Sequence, residues 1–398
     1  LSTIKNDEKI GVLVFDNSIN LCIKEKEYNI EFTYDLLNPG LDIQETIDIL
    51  KPVLEDSGIK KLVFDKYFKV CDITAESDAL QNEVIDRLAE ISSEIAKVNE
   101  PTSVFSKNCN GCEFWGYCSR NITRPSPFDV YNLKFSDKCR LYDEGVSFFD
   151  VPLYMKVKPA AEIQIEYCNR PNDAHIDKRA IREFLDSLTY PVYSLDFETY
   201  QAVVPEYEGI KTYEQVPFQY SLHIVKKPDA DIDEGSSDIE EHHFLDLSGK
   251  DTRRDIAESL VKNIPYGSCV MAYHESTERN IIARLAKYCP DLADHLISFT
   301  YADPLKLFED GKYYVKAMGK SFSLKSVSPA LYPNDKDMDY HNLEGDVKNG
   351  TQAMNAYLKA KDFTEEEREQ LRKDLEKYCA LDTFAVVKIL KKLYEVSR

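Results

Sequence analysis

The 398-residue sequence contains no apolar run approaching the roughly 20 residues a helix needs to cross a bilayer. Its opening stretch from Leu1 lacks the basic, apolar, small-residue order of a secretory signal and reads as a piece of a longer chain. Internal repeats are missing, and positive charge is scarce. Lys and Arg number 50 against 70 Asp and Glu, a net charge of −20. That balance argues against a broad nonspecific grip on nucleic acid, because backbone binding rests on cations that displace counterions. A local groove stays open, since part of the acidity sits in the loop-like run PDADIDEGSSDIE at 228–240 and bound divalent metals would cancel more. The ten cysteines are too unevenly scattered for a disulfide framework, and three of them cluster. This favours a reducing compartment, so a soluble, cytoplasmic protein is expected. With 43% hydrophobic residues and 11% aromatics, the chain can bury the cores of two domains.

Periodicity divides the chain into three parts. Residues 1–125 read as a smaller α+β region: short strand-like runs at Ile10 to Phe15 and Lys61 to Phe64, then an amphipathic helix from Glu76 to Val98, apolar at Leu80, Val84, Leu88, Ile91 and Ile95. A Pro- and Asp-punctuated connector at 126–180 follows. From 181 to 398 the pattern sharpens. A helix at Ile181 to Leu188 precedes strand-like runs at Val192 to Phe197, Gln219 to Val225 and His242 to Leu247, which suggest an antiparallel meander. The alternation then switches to β-α-β, with a helix at 251–263, a strand at 269–273, a helix at 275–287 and a strand ending near Asp303. A long helix closes the chain from about Thr364 to Val396. Three antiparallel strands followed by β-α-β make an α/β mixed sheet flanked by helices, in the order of a ribonuclease H-like domain.

Two acidic pairings stand out. In Tyr193-Ser-Leu-Asp196-Phe-Glu198-Thr199 the strand period of two puts both carboxylates on one face, while Leu195 and Phe197 turn into the core. Like charges held at a hydrophobic sheet edge repel unless a cation sits between them. The alternative is that Asp196 and Glu198 cap the strand and face water. In the closing helix Tyr378 and Asp382 are four apart and share a face; the alternative there is a core tyrosine with Asp382 on the helix boundary.

Together these elements resemble the DEDD exonuclease superfamily, in which a D-x-E strand, a middle acidic residue and a closing Y-x-x-x-D helix assemble two metal sites. Tyr378 and Asp382 match the tyrosine subclass, for Lys377 stands where the histidine subclass carries its histidine. The resemblance spans roughly Leu185 to Leu393 and departs from the pattern in the middle motif. There the run Tyr273-His-Glu275-Ser-Thr-Glu278 offers Glu278 for the acidic position, with Glu275 as competitor, where an Asp is usual. Both can also be ordinary first-turn acids favoured by the helix dipole. Asp303 is either an outer carboxylate or a helix cap before Pro304. The phrases LDFETY, VPFQYSLHI, YHESTERNIIARLA, SFSLKSVSPALYP and YCALDTFAVV resemble a bacterial family whose name carries no function. Its members join an iron-sulfur RecB-type nuclease region to a DEDD-like domain, which makes 1–125 the expected remnant of the former.

The resemblance implies a 3′-5′ exonuclease acting on single-stranded DNA or RNA. Two Mg²⁺ or Mn²⁺ ions about 3.5–4 Å apart would lie on Asp196, Glu198, Glu278 and Asp382, with Tyr378 orienting the attacking water. Lys325, Phe218, Tyr220 and Phe322 can contact phosphate or stack on bases, or can simply be surface and core residues. The acidic surface and Glu278 favour the rival expectation, an inactive nucleic-acid or protein-interaction module of the same fold. A sensing regulator centred on the cysteines would leave the ordered acidic motifs unexplained.

Cys109-x2-Cys112-x5-Cys118 places three thiols within ten residues, an incomplete zinc site or three corners of a 4Fe-4S cluster. The pattern resembles the cysteine triad of RecB-type iron-sulfur nucleases, whose first cysteine lies far upstream. Cys71, Cys139 and Cys22 are the candidates for a fourth ligand, and three free buried thiols are the plain alternative. Cys269 and Cys379, on apolar faces, read as small core residues.

Overall fold

The computed structural model describes residues 11–15, 68–72, 74–97 and 102–398, less 171–173, 203–204, 234–235, 336–337, 339, 341–344 and 346. The chain divides into two units, Leu1–Thr102 with Ala202–Glu214, and Ser103–Gln201 with Gln215–Arg398. In the first, β1 (Gly11–Phe15) pairs antiparallel with β2 (Phe68–Asp72), and α1 (Thr74–Ile95) follows. The run from Lys61 to Phe64 lies outside the described residues.

The second unit begins with the cysteine segment. Residues 126–180, read from the sequence as a connector, hold α2 (Phe135–Asp143), α3 (Pro159–Tyr167) and β3 (Ala174–Ile176). These nine-residue helices carry about two and a half turns of periodicity, and the Pro and Asp residues around them interrupt the pattern. They nevertheless bury a cluster of their own that includes Val130, Leu141, Phe148, Val151 and Ile165. Then come α4 (Lys178–Asp186), β4 (Val192–Gln201), β5 (Gln215–Val225), β6 (Ile239–Leu245), α5 (Arg253–Asn263), β7 (Cys269–Met271), α6 (Ser276–Tyr288), β8 (Thr300–Ala302), β9 (Tyr313–Val315), α7 (Leu324–Leu331), α8 (Gly350–Lys359) and α9 (Glu365–Ser397).

Five strands form one mixed sheet in the order β6-β5-β4-β7-β8. β4 is central, antiparallel to β5 and parallel to β7; β6 continues the antiparallel side and β8 the parallel side. Each face of β4 meets a helical layer. Tyr193, Leu195 and Phe197 pack with Ile256 and Leu260 of α5 and Ile281, Ile282 and Leu285 of α6. On the opposite face Val192 joins Val386, Ile389 and Leu390 of α9. The alternation expected of β4 is thus realised on both sides. α9 starts where the sequence signals it: Thr364 is its N-cap, in a capping box with Glu367.

Gly311 ties the segment before the sheet to the segment after it. Its φ is +68°, and a Cβ there would stand 3.1 Å from backbone atoms of Pro159 and Ala160 at the start of α3. Backbone cannot swing away as a side-chain tip can, so Gly311→Ala combines left-handed strain with a steric push. We expect about 1–3 kcal/mol of destabilisation, measured as a fall in Tm by calorimetry; an unchanged Tm would mean that the close approach relaxes freely.

Candidate metal centre

Where β4 and α9 cross, Asp196, Glu198 and Asp382 each offer a carboxylate oxygen, and the three lie within 4.8 Å of one another. Asp196 is half-buried; Glu198 and Asp382 are buried. Residues almost two hundred positions apart in sequence therefore share one pocket, with a β-bulge immediately after Glu198. There the register passes from Glu198 opposite Gln219 to Thr199 opposite Pro217, so Phe218 is the extra residue. Bulges beside functional sites re-aim side chains. Gly350 at the start of α8 also approaches Glu198, and a Cβ there would lie 3.6 Å from Glu198 Oε2.

Thr383 pins α9 onto the sheet. Ser194 Oγ donates to the Thr383 carbonyl at 2.9 Å, while Thr383 Oγ1 lies 2.9 Å from Ser221 Oγ and 2.8 Å from His223 Nδ1. The Gln219 amide donates to the Leu375 carbonyl at 2.9 Å. These buried bonds fix the rotation of α9, and through it the placement of Asp382 and Tyr378. Tyr340 Oη donates to Asp382 Oδ1 at 2.5 Å, and Tyr378 also hydrogen-bonds to that carboxylate. Tyr340 escaped the sequence reading because it stands in the irregular stretch after α7, where no period marks a face.

Burial dominates the electrostatics. It pushes Asp196 well above the ordinary carboxylate range, and the charges of Asp382, Glu278 and Glu198 push it further. Glu198 is raised to about 8 by burial and then by Asp382, against a downward pull from Lys325. Asp382 is raised by burial, opposed by the Tyr340 bond, by Lys325 and by Tyr378. The phenols of Tyr378 and Tyr340 are pushed far up, by burial first and by the Asp382 charge next. Carboxyls crowded this way either hold protons or hold cations, and a hard divalent ion is the cation that oxygen donors suit.

Glu278 lies outside the close triad, although its charge reaches Asp196. It is buried on the first turn of α6, its Oε2 has no hydrogen-bond partner, and it is raised to about 8 by burial, with Asp303 and Glu275 adding to the rise. Its competitor Glu275 is occupied elsewhere, 3.3 Å from both Lys306 and Arg279. Asp303 takes a structural part: it accepts from the backbone N–H groups of His274 and Leu305 at 3.1 and 3.0 Å and of Glu275 at 3.3 Å. It thereby clamps the turn that launches α6, in which His274 has a φ of +70°. A left-handed non-glycine residue at that point is strain held by the clamp.

Of the two readings open for Phe218, Tyr220 and Phe322, the core one holds. Phe218 is fully buried and stacks on Tyr357 with centroids 4.0 Å apart; Tyr220 is fully buried with its hydroxyl 2.7 Å from Ser259 Oγ; Phe322 packs on Tyr131. An aromatic inside a strand with both faces covered has no way to reach a base. Lys325 is at the pocket, its Nζ donating to Tyr378 Oη at 3.2 Å.

Cys109, Cys112 and Cys118 are half-buried free thiols. Ser106 N–H donates to Cys109 Sγ at 3.4 Å. They do not converge within 4.8 Å, whereas zinc–sulfur bonds of 2.3 Å at tetrahedral angles bring thiolates to about 3.8 Å. Cys139, packed with Phe105, Trp115, Phe128 and Phe135, has its thiol pushed up by burial and next by the Cys109 charge, so it adjoins the triad. Cys22 lies outside the described residues, and Cys71 belongs to the other unit. Cys379, read as a core residue, is buried with its thiol 3.9 Å from Asp196 Oδ2.

Residues 193–323 match the family model described as Domain of unknown function (DUF2779). That is about a third of the chain. The match takes in Asp196, Glu198 and Glu278 and ends before Lys325, Tyr340, Tyr378 and Asp382. No curated protein and no solved structure matches the chain. No helix among the described residues is long and apolar enough to cross a membrane.

Proposed function

We propose that the unit built on the five-stranded sheet is a divalent-metal-dependent nuclease of ribonuclease H-like fold, hydrolysing phosphodiester bonds at the 3′ end of single-stranded DNA or RNA. One observation carries the reading. Asp196, Glu198 and Asp382 converge within 4.8 Å from two elements far apart in sequence, in a pocket that also holds Tyr378. Support comes from the sheet, three antiparallel strands then two parallel ones with the acidic pair on the central strand. Mg²⁺ or Mn²⁺ on these carboxylates would supply positive charge for the scissile phosphate and a nucleophile at neutral pH. Asp196, Glu198 and Asp382 would hold the metal. The Tyr378 hydroxyl, anchored between Lys325 and Asp382, is proposed to orient the attacking water. For the cysteine segment we propose that Cys109, Cys112 and Cys118 would hold a 4Fe-4S cluster or zinc, completed by a fourth ligand.

Glu278 favours a second reading. An acid displaced from the triad suits a module that kept the fold and lost the reaction.

The experiment that separates them incubates purified protein with end-labelled single strands and Mn²⁺, beside an Asp196→Ala control. Shortening from the 3′ end that the control abolishes supports the enzyme; intact strands with measurable binding support the module. Tyr378→Phe should lose most of the activity, about a hundredfold or more if the hydroxyl orients water, while metal binding and Tm hold. A full-speed Phe variant would remove the tyrosine from the mechanism.

A further inference from the structure

The acidic pocket contains a cation of its own. Lys325 is the second residue of α7, and its ammonium donates to Tyr378 Oη at 3.2 Å and to the Lys348 carbonyl at 3.0 Å. It lies 5.0 Å from the Tyr378 ring centre and 4.9 Å from that of Tyr340, the two phenols that hydrogen-bond to Asp382. Both of its acceptors are neutral oxygens, so its charge acts on the carboxylates through space, drawing Glu198 and Asp382 down. An ammonium in that place does two things. It partly balances the acids when no divalent ion is bound, and it repels a divalent ion that enters among them. A phosphate group arriving at the pocket mouth would be the stronger partner for a lysine, a mobile point charge on a flexible stem.

We infer that Lys325 is the resident counter-cation of the acidic pocket, opposing a divalent ion until a nucleotide phosphate draws it off, so that metal and phosphate bind with positive coupling. The inference rests on the metal-dependent reading above and adds to it a residue that acts on metal affinity without being a ligand. Coupling of this kind is reciprocal: whatever factor the phosphate contributes to metal affinity, the metal contributes to phosphate affinity.

The test titrates Mn²⁺ by calorimetry into metal-free wild type, K325M, K325Q and K325R, each with and without thymidine 5′-monophosphate. Wild type should bind Mn²⁺ about tenfold more tightly with the nucleotide present, the effect of neutralising one charge at close range. K325M should bind Mn²⁺ about tenfold more tightly than wild type without nucleotide and gain little when it is added. K325Q carries the same expectation and guards against a folding defect peculiar to Met; K325R, which keeps the charge, should follow wild type. A merely structural lysine predicts the opposite sign, with weaker Mn²⁺ binding in K325M and K325Q. That result, or equal affinities with unchanged coupling, overturns the inference and leaves the metal centre standing. If wild type takes up no Mn²⁺ with or without nucleotide, the inference and the metal-dependent reading fall together.

Discussion

Replacing Asp196 by Asn should raise the Tm of the metal-free protein at pH 8 while removing its response to divalent ions. Asp196 is surrounded by Asp382, Glu278 and Glu198, each of which disfavours its charge, and burial disfavours it more. Asn keeps the volume and an oxygen to accept from the Cys379 thiol, which stands 3.9 Å from Asp196 Oδ2, but brings no charge. Asn relieves both the burial of charge and the repulsion, so a higher Tm is expected in the absence of metal. With Mn²⁺ only wild type responds. Wild type should gain about 2.7 kcal/mol at a hundredfold excess over Kd, and the Asn variant almost none. Turnover should fall by a hundredfold or more, since charge at a scissile phosphate is worth several kcal/mol. Stability gained with function lost marks a residue kept for chemistry. An Asn variant less stable than wild type in chelator would instead mark Asp196 as part of the scaffold.

The metal-free protein should also lose stability as pH rises from about 4.5 to about 8. Glu198 and Glu278 are each raised to about 8 in the folded state, against an ordinary glutamate near 4.3 in the unfolded chain. Between those values the folded protein holds protons that the unfolded chain has released. Stability is therefore greatest below the window, declines through it as these groups ionise in the folded state, and levels off above about 8. Divalent ions bind the deprotonated carboxylates, so Mn²⁺ should bind more tightly as pH rises and displace protons as it binds. Melting curves from pH 5 to 8.5 in chelator, and again in saturating Mn²⁺, check both halves. A chelator curve that is flat or rising across the window would contradict the electrostatics of the pocket.

Much of this arrangement was legible in the residues. Asp196 and Glu198 could be placed on one face of β4 because a strand alternates and Leu195 and Phe197 had to turn inward. The position of α9 followed from its apolar stripe. Short-range periodicity does not record what lies opposite in space, and there the reading was incomplete. Phe218 and Tyr220 are shut into the core because helices cover both sheet faces, a property of the assembled layers. Tyr340 reaches Asp382 from a stretch with no repeat. Glu278 was legible as the acid opening α6, but its separation from the triad depends on how the turn after β7 is clamped by Asp303, a contact across about thirty residues. The helices of 126–180, set among Pro and Asp residues, show only in what they bury.

The most direct test is an anomalous difference map from crystals of the wild-type protein grown with Mn²⁺. A peak is expected among the carboxylate oxygens of Asp196, Glu198 and Asp382, close to Tyr378 and missing from crystals of the Asp196→Asn variant. Ordered carboxylates with no peak between them, at Mn²⁺ concentrations that fill other sites on the same molecule, would contradict it.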